Sequence, residues 1–134
     1  MTQVTTIYDG GQHCTASDAS KGKSVAMDCP YTGKGEELSP GNLLEGALAG
    51  CILISMGPTA EREGIDLGGT TVSVEVTGTP PPKITYTGMK VDVNMPAGLT
   101  DIQRTKLERA ADTCPIKHSF NADIALSVTY HYPD

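Results

Sequence analysis

The chain has 134 residues, with 10 basic and 16 acidic side chains for a net charge of −6, no Trp, one Phe and five Tyr. That length predicts a single domain spanning 1–134. The basic residues are scattered and leave no positive footprint, which excludes nucleic acid and an anionic membrane surface as partners. The core must be built largely from small residues, among 15 Gly and 9 Pro, so burial across a subunit interface would supplement a thin one. The opening MTQVTTIYDGGQ has neither the basic nor the apolar region of a signal peptide. The apolar run from Leu43 to Met56 is shorter than the ~20 residues that span a bilayer. These features predict a soluble, cytoplasmic protein whose four cysteines, Cys14, Cys29, Cys51 and Cys114, are thiols.

The first thirty residues read as short strands. Val4, Ile7 and Tyr8 lie in a β-branched run, and SVAMDC places Val25, Met27 and Cys29 on one face. YDGGQ and DASKGK are turn signals. PYTGKGEELS, 30–39, is a polar loop; its GKG lacks the spacing of a phosphate loop. A helix follows, with Ser39 as N-cap, Pro40 at the first helical position and Gly64 at the left-handed residue past its end. It is apolar nearly all round from Leu43 to Met56, which predicts burial on most sides. Gly46 and Gly50, four apart, would let another backbone come close. Pro58 should kink the helix or begin a new segment.

Residues 70–78 alternate, with Val72, Val74 and Val76 on one face. TPPPK is a stiff loop. Residues 83–95 form a second strand whose phase flips: Ile84 and Tyr86 are even, Met89, Val91, Val93 and Met95 odd. Gly88 at the flip predicts a β-bulge. A second helix begins at Thr100, where Gln103 completes a capping box. Ile102, Leu107, Ala110, Ala111 and Cys114 supply its inner stripe, and Pro115 ends it. A last strand runs from about Ala122 to Tyr132, with Ile124, Leu126, Val128, Tyr130 and Tyr132 on one face. Strands, helix, hairpin, helix and strand make an α+β domain.

The chemistry rests on the cysteines. They are separated by 15, 22 and 63 positions, and zinc needs pairs two to four apart, so no metal site is expected. A nucleophile elbow fails at LISMG, where Leu53 replaces the required first glycine before Ser55. No dinucleotide or phosphate-loop motif implies a cofactor. Cys51 interrupts an apolar helix, where a buried thiol is first a small core residue. Cys114 stands before Pro115 and near Lys117 and His118. It either closes the apolar stripe or caps a new turn whose amides favour a thiolate. Cys14 and Cys29 lie on predicted strands with nothing reactive nearby, which marks them as structural.

SPGNLLEGALAGC, AEREGIDLGGTTVSVEV and LTDIQRTKLERAADTCP together resemble the OsmC/Ohr family of thiol peroxidases, over about residues 37–132. The resemblance implies an OsmC-like fold of antiparallel sheets with a central buried helix and a second helix, in an intertwined homodimer with active sites at the interface. It implies that Cys51 attacks a hydroperoxide as a thiolate and becomes a sulfenic acid, which Cys114 resolves as a disulfide. A dithiol, from a lipoyl protein or a thioredoxin-like reductant, would then restore the pair. The family's glutamate after the helix-starting proline is replaced by Gly41, and its early-strand arginine by GGQHC. His13 and Glu45 are therefore the accessory candidates. Glu45 lies six residues before Cys51, about 120° around the helix, and Glu36 or Glu37 in the preceding loop are within chain reach. These departures also support a second reading: a dimer of this fold that binds a small apolar or thiol-reactive molecule at its interface without efficient turnover.

Overall fold

Glycines and a left-handed Gln12 (φ 63°) fold the first thirty residues into a meander. The computed structural model describes residues 3–134, in two units, 1–44 and 45–134. In the first unit, β1 (Thr5–Gly10), β2 (His13–Asp18) and β3 (Lys23–Asp28) form an antiparallel sheet in that order. Asp28 is buried at the end of β3, where its carboxylate accepts the amides of Glu36 (2.9 Å) and Glu37 (3.2 Å). Those bonds tie the polar loop to the sheet. The unit buries Ala16 and Asp28 but leaves Ile7, Tyr8, Tyr31 and Leu38 exposed.

Helix α1 (Pro40–Glu63) starts and stops where its caps dictate. The Ser39 hydroxyl accepts the Asn42 amide and the Asn42 side chain accepts the Ser39 amide, both at 3.1 Å. At the far end Gly64 takes φ +65° and the Ile65 amide reaches back to the Ala60 carbonyl at 2.8 Å, a Schellman closure. The helix runs unbroken through Pro58 rather than restarting there. Pro58 is exposed, and one missing bond is offset by buried Thr59 and Ala60 just beyond it. At 24 residues and a mean hydropathy of 1.5, α1 meets the length and composition of a membrane span, contrary to the shorter run read from the sequence. Its stripe of Leu48, Ile52 and Met56, however, is seated in a protein core.

The expected burial on most sides is also corrected. Residues four apart share a helix face, and one chain covers one face only. Ile54, opposite that stripe, is 77% exposed, and nothing lies within 4 Å of a side chain built at Gly46 or Gly50.

The second unit carries β4 (Thr71–Gly78), β5 (Tyr86–Asn94) and β6 (Ala125–His131), in the order β4-β5-β6. β4 and β5 are antiparallel, but β5 and β6 are parallel. The expectation of antiparallel sheets is therefore corrected to one antiparallel and one mixed sheet. The cause is the connection: α2 (Asp101–Asp112) returns the chain to the same sheet end, as a crossover helix does. The bulge falls where the phase flip predicted it. Thr77 faces Gly88 and Gly78 faces Tyr86, leaving Thr87 extra. Thr100 caps α2 with the full capping box to Gln103. Leu107, Ala111 and Cys114 are buried, whereas Ile102 is 70% exposed and leaves the predicted inner stripe. It falls in the first turn, before the helix meets the core of Leu48, Ile52, Met56, Met89, Val91, Val93 and Leu107.

Candidate active site

Two elements bring Cys51 and Cys114 together. Cys51 sits mid-way along α1, next to the buried Ile52. Cys114 closes the buried stripe of α2, one position past the Thr113 cap. Pro115 stops the helix, and the chain turns into a 3₁₀ segment, Lys117–Ser119. Cys114 caps that turn: its sulfur accepts the Lys117 amide at 3.3 Å and its carbonyl the His118 amide at 3.4 Å. All four cysteines are thiols. The thiols of Cys51 and Cys114 stand close enough for each to act on the other's ionisation.

That contact separates the two thiols electrostatically. Burial opposes ionisation of Cys51, but the neighbouring Cys114 thiol, Ile116 amide and Ser55 hydroxyl act on its sulfur and hold its pKa below the usual thiol value. Cys114 moves the other way, because it is wholly buried and its thiol faces the Cys51 sulfur. Ionisation is thus favoured at Cys51 over Cys114. A thiolate beside a protonated thiol is the arrangement needed for attack followed by disulfide closure. Lys117 is paired with Asp112 rather than with either sulfur.

The accessory candidates His13 and Glu45 stand on β2 and α1. His13 lies on β2 in the first unit, where Nδ1 is 2.9 Å from Asp9 Oδ2. The same carboxylate accepts the Thr15 hydroxyl at 2.7 Å. Those two hydrogen bonds, Thr15 first, hold the Asp9 pKa below the carboxylate norm. Glu45 is on α1, at the start of the second unit. Among the described residues no group of three or more His, Cys, Asp or Glu could hold a metal ion.

Sequence reading missed two features. Ser55 was weighed only as a nucleophile; the overlooked signal is its position one helical turn after Cys51. Cys29 is not in a strand and not without reactive neighbours. It begins the loop after β3, where its sulfur accepts the Thr32 hydroxyl at 3.3 Å and the Thr32 amide at 3.5 Å. These bonds, the hydroxyl foremost, lower its pKa to about 7. Gly33 completes the loop; a Cβ there would stand 2.7 Å from the Cys29 carbonyl. The hydroxyl three residues after Cys29, just past Pro30, was the readable signal.

Residues 33–129 match the family profile described as OsmC-like protein. No curated protein matches the chain. Among solved structures, a candidate osmotic stress induced and detoxification response protein from Psychrobacter arcticus is 28% identical, with a TM-score of 0.87 over 98% of this chain and 96% of that one. An organic hydroperoxide resistance protein from Elizabethkingia anophelis is 16% identical, with a TM-score of 0.71 over 98% and 97%. One from Bacillus subtilis is 14% identical, with a TM-score of 0.67 over 96% and 98%. The latter two likenesses establish the fold alone.

Proposed function

Because the chain belongs to the OsmC-like protein family, we propose that it is a cysteine-based peroxidase that reduces organic or other hydroperoxides. The observation that carries this reading is the juxtaposed thiol pair, with ionisation favoured on Cys51 and opposed on Cys114. The Cys51 thiolate attacks the peroxide oxygen, the O–O bond breaks, and the departing alkoxide takes a proton to leave as an alcohol. The resulting sulfenic acid is attacked by the Cys114 sulfur, which forms the disulfide and expels water. A dithiol, lipoyl-bearing or thioredoxin-like, reduces the disulfide by exchange.

The active form in this reading is a homodimer. The exposed Ile54 and the open space beside Gly46 and Gly50 leave an apolar helix face for a second copy. Light scattering should give twice the 14.0 kDa chain mass; a stable folded monomer refutes the dimer. For the chemistry, one equivalent of hydroperoxide should produce a Cys51–Cys114 disulfide within one chain, mapped by peptide mass spectrometry. Cys51→Ser should abolish turnover with the fold intact. An unmodified Cys51 beside oxidised methionines leaves ligand binding without turnover as the better account.

A further inference from the structure

Between Glu45 and Thr59, α1 reads GALAGCILISMGP. Ser55 is its one hydroxyl, in a segment otherwise apolar apart from Cys51 itself. Serine gains nothing there as a helix former, since a mid-helix hydroxyl competes with the backbone. It lies four residues after Cys51, which puts both side chains on one face. A helical side chain leans toward the preceding turn, so the Ser55 hydroxyl is carried toward the turn that holds the Cys51 sulfur. Ser55 is half-buried, beside the fully buried Met56, so water competes weakly for that hydroxyl.

We propose that Ser55 is a working part of the Cys51 site: its hydroxyl donates to the Cys51 sulfur and holds it as the thiolate, in a site where that charge is met by hydrogen bonds. The Cys114 thiol and the Ile116 amide act on the same sulfur. Cys114 is the titratable group facing Cys51 from the α2 corner. The strand residues of the same core are the apolar Met89, Val91 and Val93, and Lys117 near that corner is committed to Asp112. Burial among apolar side chains opposes ionisation of a thiol. A hydroxyl one turn along the same helix offsets that without a desolvated cation. It also moves with the cysteine, because one rigid segment carries both.

This inference rests on Cys51 being the reactive thiol, and its test needs no peroxide. The alkylation rate of Cys51 by iodoacetamide, resolved by peptide mass spectrometry, is followed against pH in the wild type, Ser55→Ala and Ser55→Thr. Alanine is the better helix former, and unchanged circular dichroism and melting check the fold. The Cys51 midpoint should rise by about one pH unit in Ser55→Ala, with about tenfold slower alkylation below both midpoints. Ser55→Thr, which keeps a hydroxyl, should return the midpoint toward the wild type. An unmoved midpoint in Ser55→Ala overturns the proposal, as does an equal shift in both variants, which would mark packing rather than the hydroxyl. If the midpoint moves but the wild type turns over no hydroperoxide, the role of Ser55 stands and the peroxidase reading falls. Turnover with an unmoved midpoint removes this inference alone.

Discussion

Replacing Cys114 separates the two roles proposed for it, as hydrogen-bond donor to Cys51 and as resolving thiol. Cys114→Ala deletes the donor. A hydrogen bond to a charged group contributes about 1.5–3 kcal/mol, and a thiol is a weak donor, so the low end applies. At about 1.4 kcal/mol per pH unit, the Cys51 midpoint should rise by roughly one unit. The side chain is also fully buried, so losing its sulfur should cost about 1 kcal/mol of stability, comparable to a buried methylene. Cys114→Ser behaves differently. Its hydroxyl can accept the Lys117 amide, as the sulfur does, and donate to Cys51 more strongly than a thiol. Its Cys51 midpoint should stay low or fall, while the sulfenic acid persists and over-oxidises. The sign of the pH effect follows. Cys51 has a folded pKa below its unfolded one, so its thiolate adds stability above about pH 8.5. That stability is lost as the pH falls through the folded value. Cys114 is raised, so its contribution is present below the unfolded value and lost as the pH rises through the folded one. Alkylation profiles and denaturant titrations at about pH 6.5 and about pH 10.5, roughly two units either side of an ordinary thiol midpoint, read both effects. Equal Cys51 midpoints in the wild type and Cys114→Ala would refute the donor role, whatever happens to turnover.

Two further outcomes follow from other parts of the molecule. In Thr32→Val the Cys29 midpoint should rise from about 7, because the hydroxyl that leads its depression is gone. Mass-resolved alkylation of Cys29 against Cys14 in the same sample reads it, and an unchanged Cys29 rate at pH 7 contradicts the loop geometry. Leu107 is 0% exposed at the centre of the core, so Leu107→Ala should lose about 2–5 kcal/mol in urea unfolding at fixed protein concentration. A loss below about 1 kcal/mol would show that α2 packs there less tightly than its burial indicates.

The boundaries of α1 were legible in the sequence because Ser39, Pro40 and Gly64 act within a few residues of where they stand. The same holds for the Thr100–Gln103 box and the bulge at Gly88, each a local hydrogen-bonding or steric requirement. The apolar phases of β4, β5 and β6 were readable for a similar reason: alternation is imposed residue by residue. The motifs around Cys51 and Cys114 carried the family. What tertiary structure decided is which sides meet. The parallel pairing of β6 on β5 depends on how α2 returns the chain, and no local pattern encodes that. Ile102 has the right spacing for the core stripe, but the first turn of α2 lies outside the core. The loop at Cys29 escaped because a thiol, a proline and a hydroxyl three residues on make an unremarkable string until the turn folds the Thr32 donors onto the sulfur. The same is true of the site: Cys51 and Cys114 are 63 positions apart. The asymmetry that favours ionisation of one over the other arises when burial, the Ile116 amide and the Ser55 hydroxyl act on that pair together.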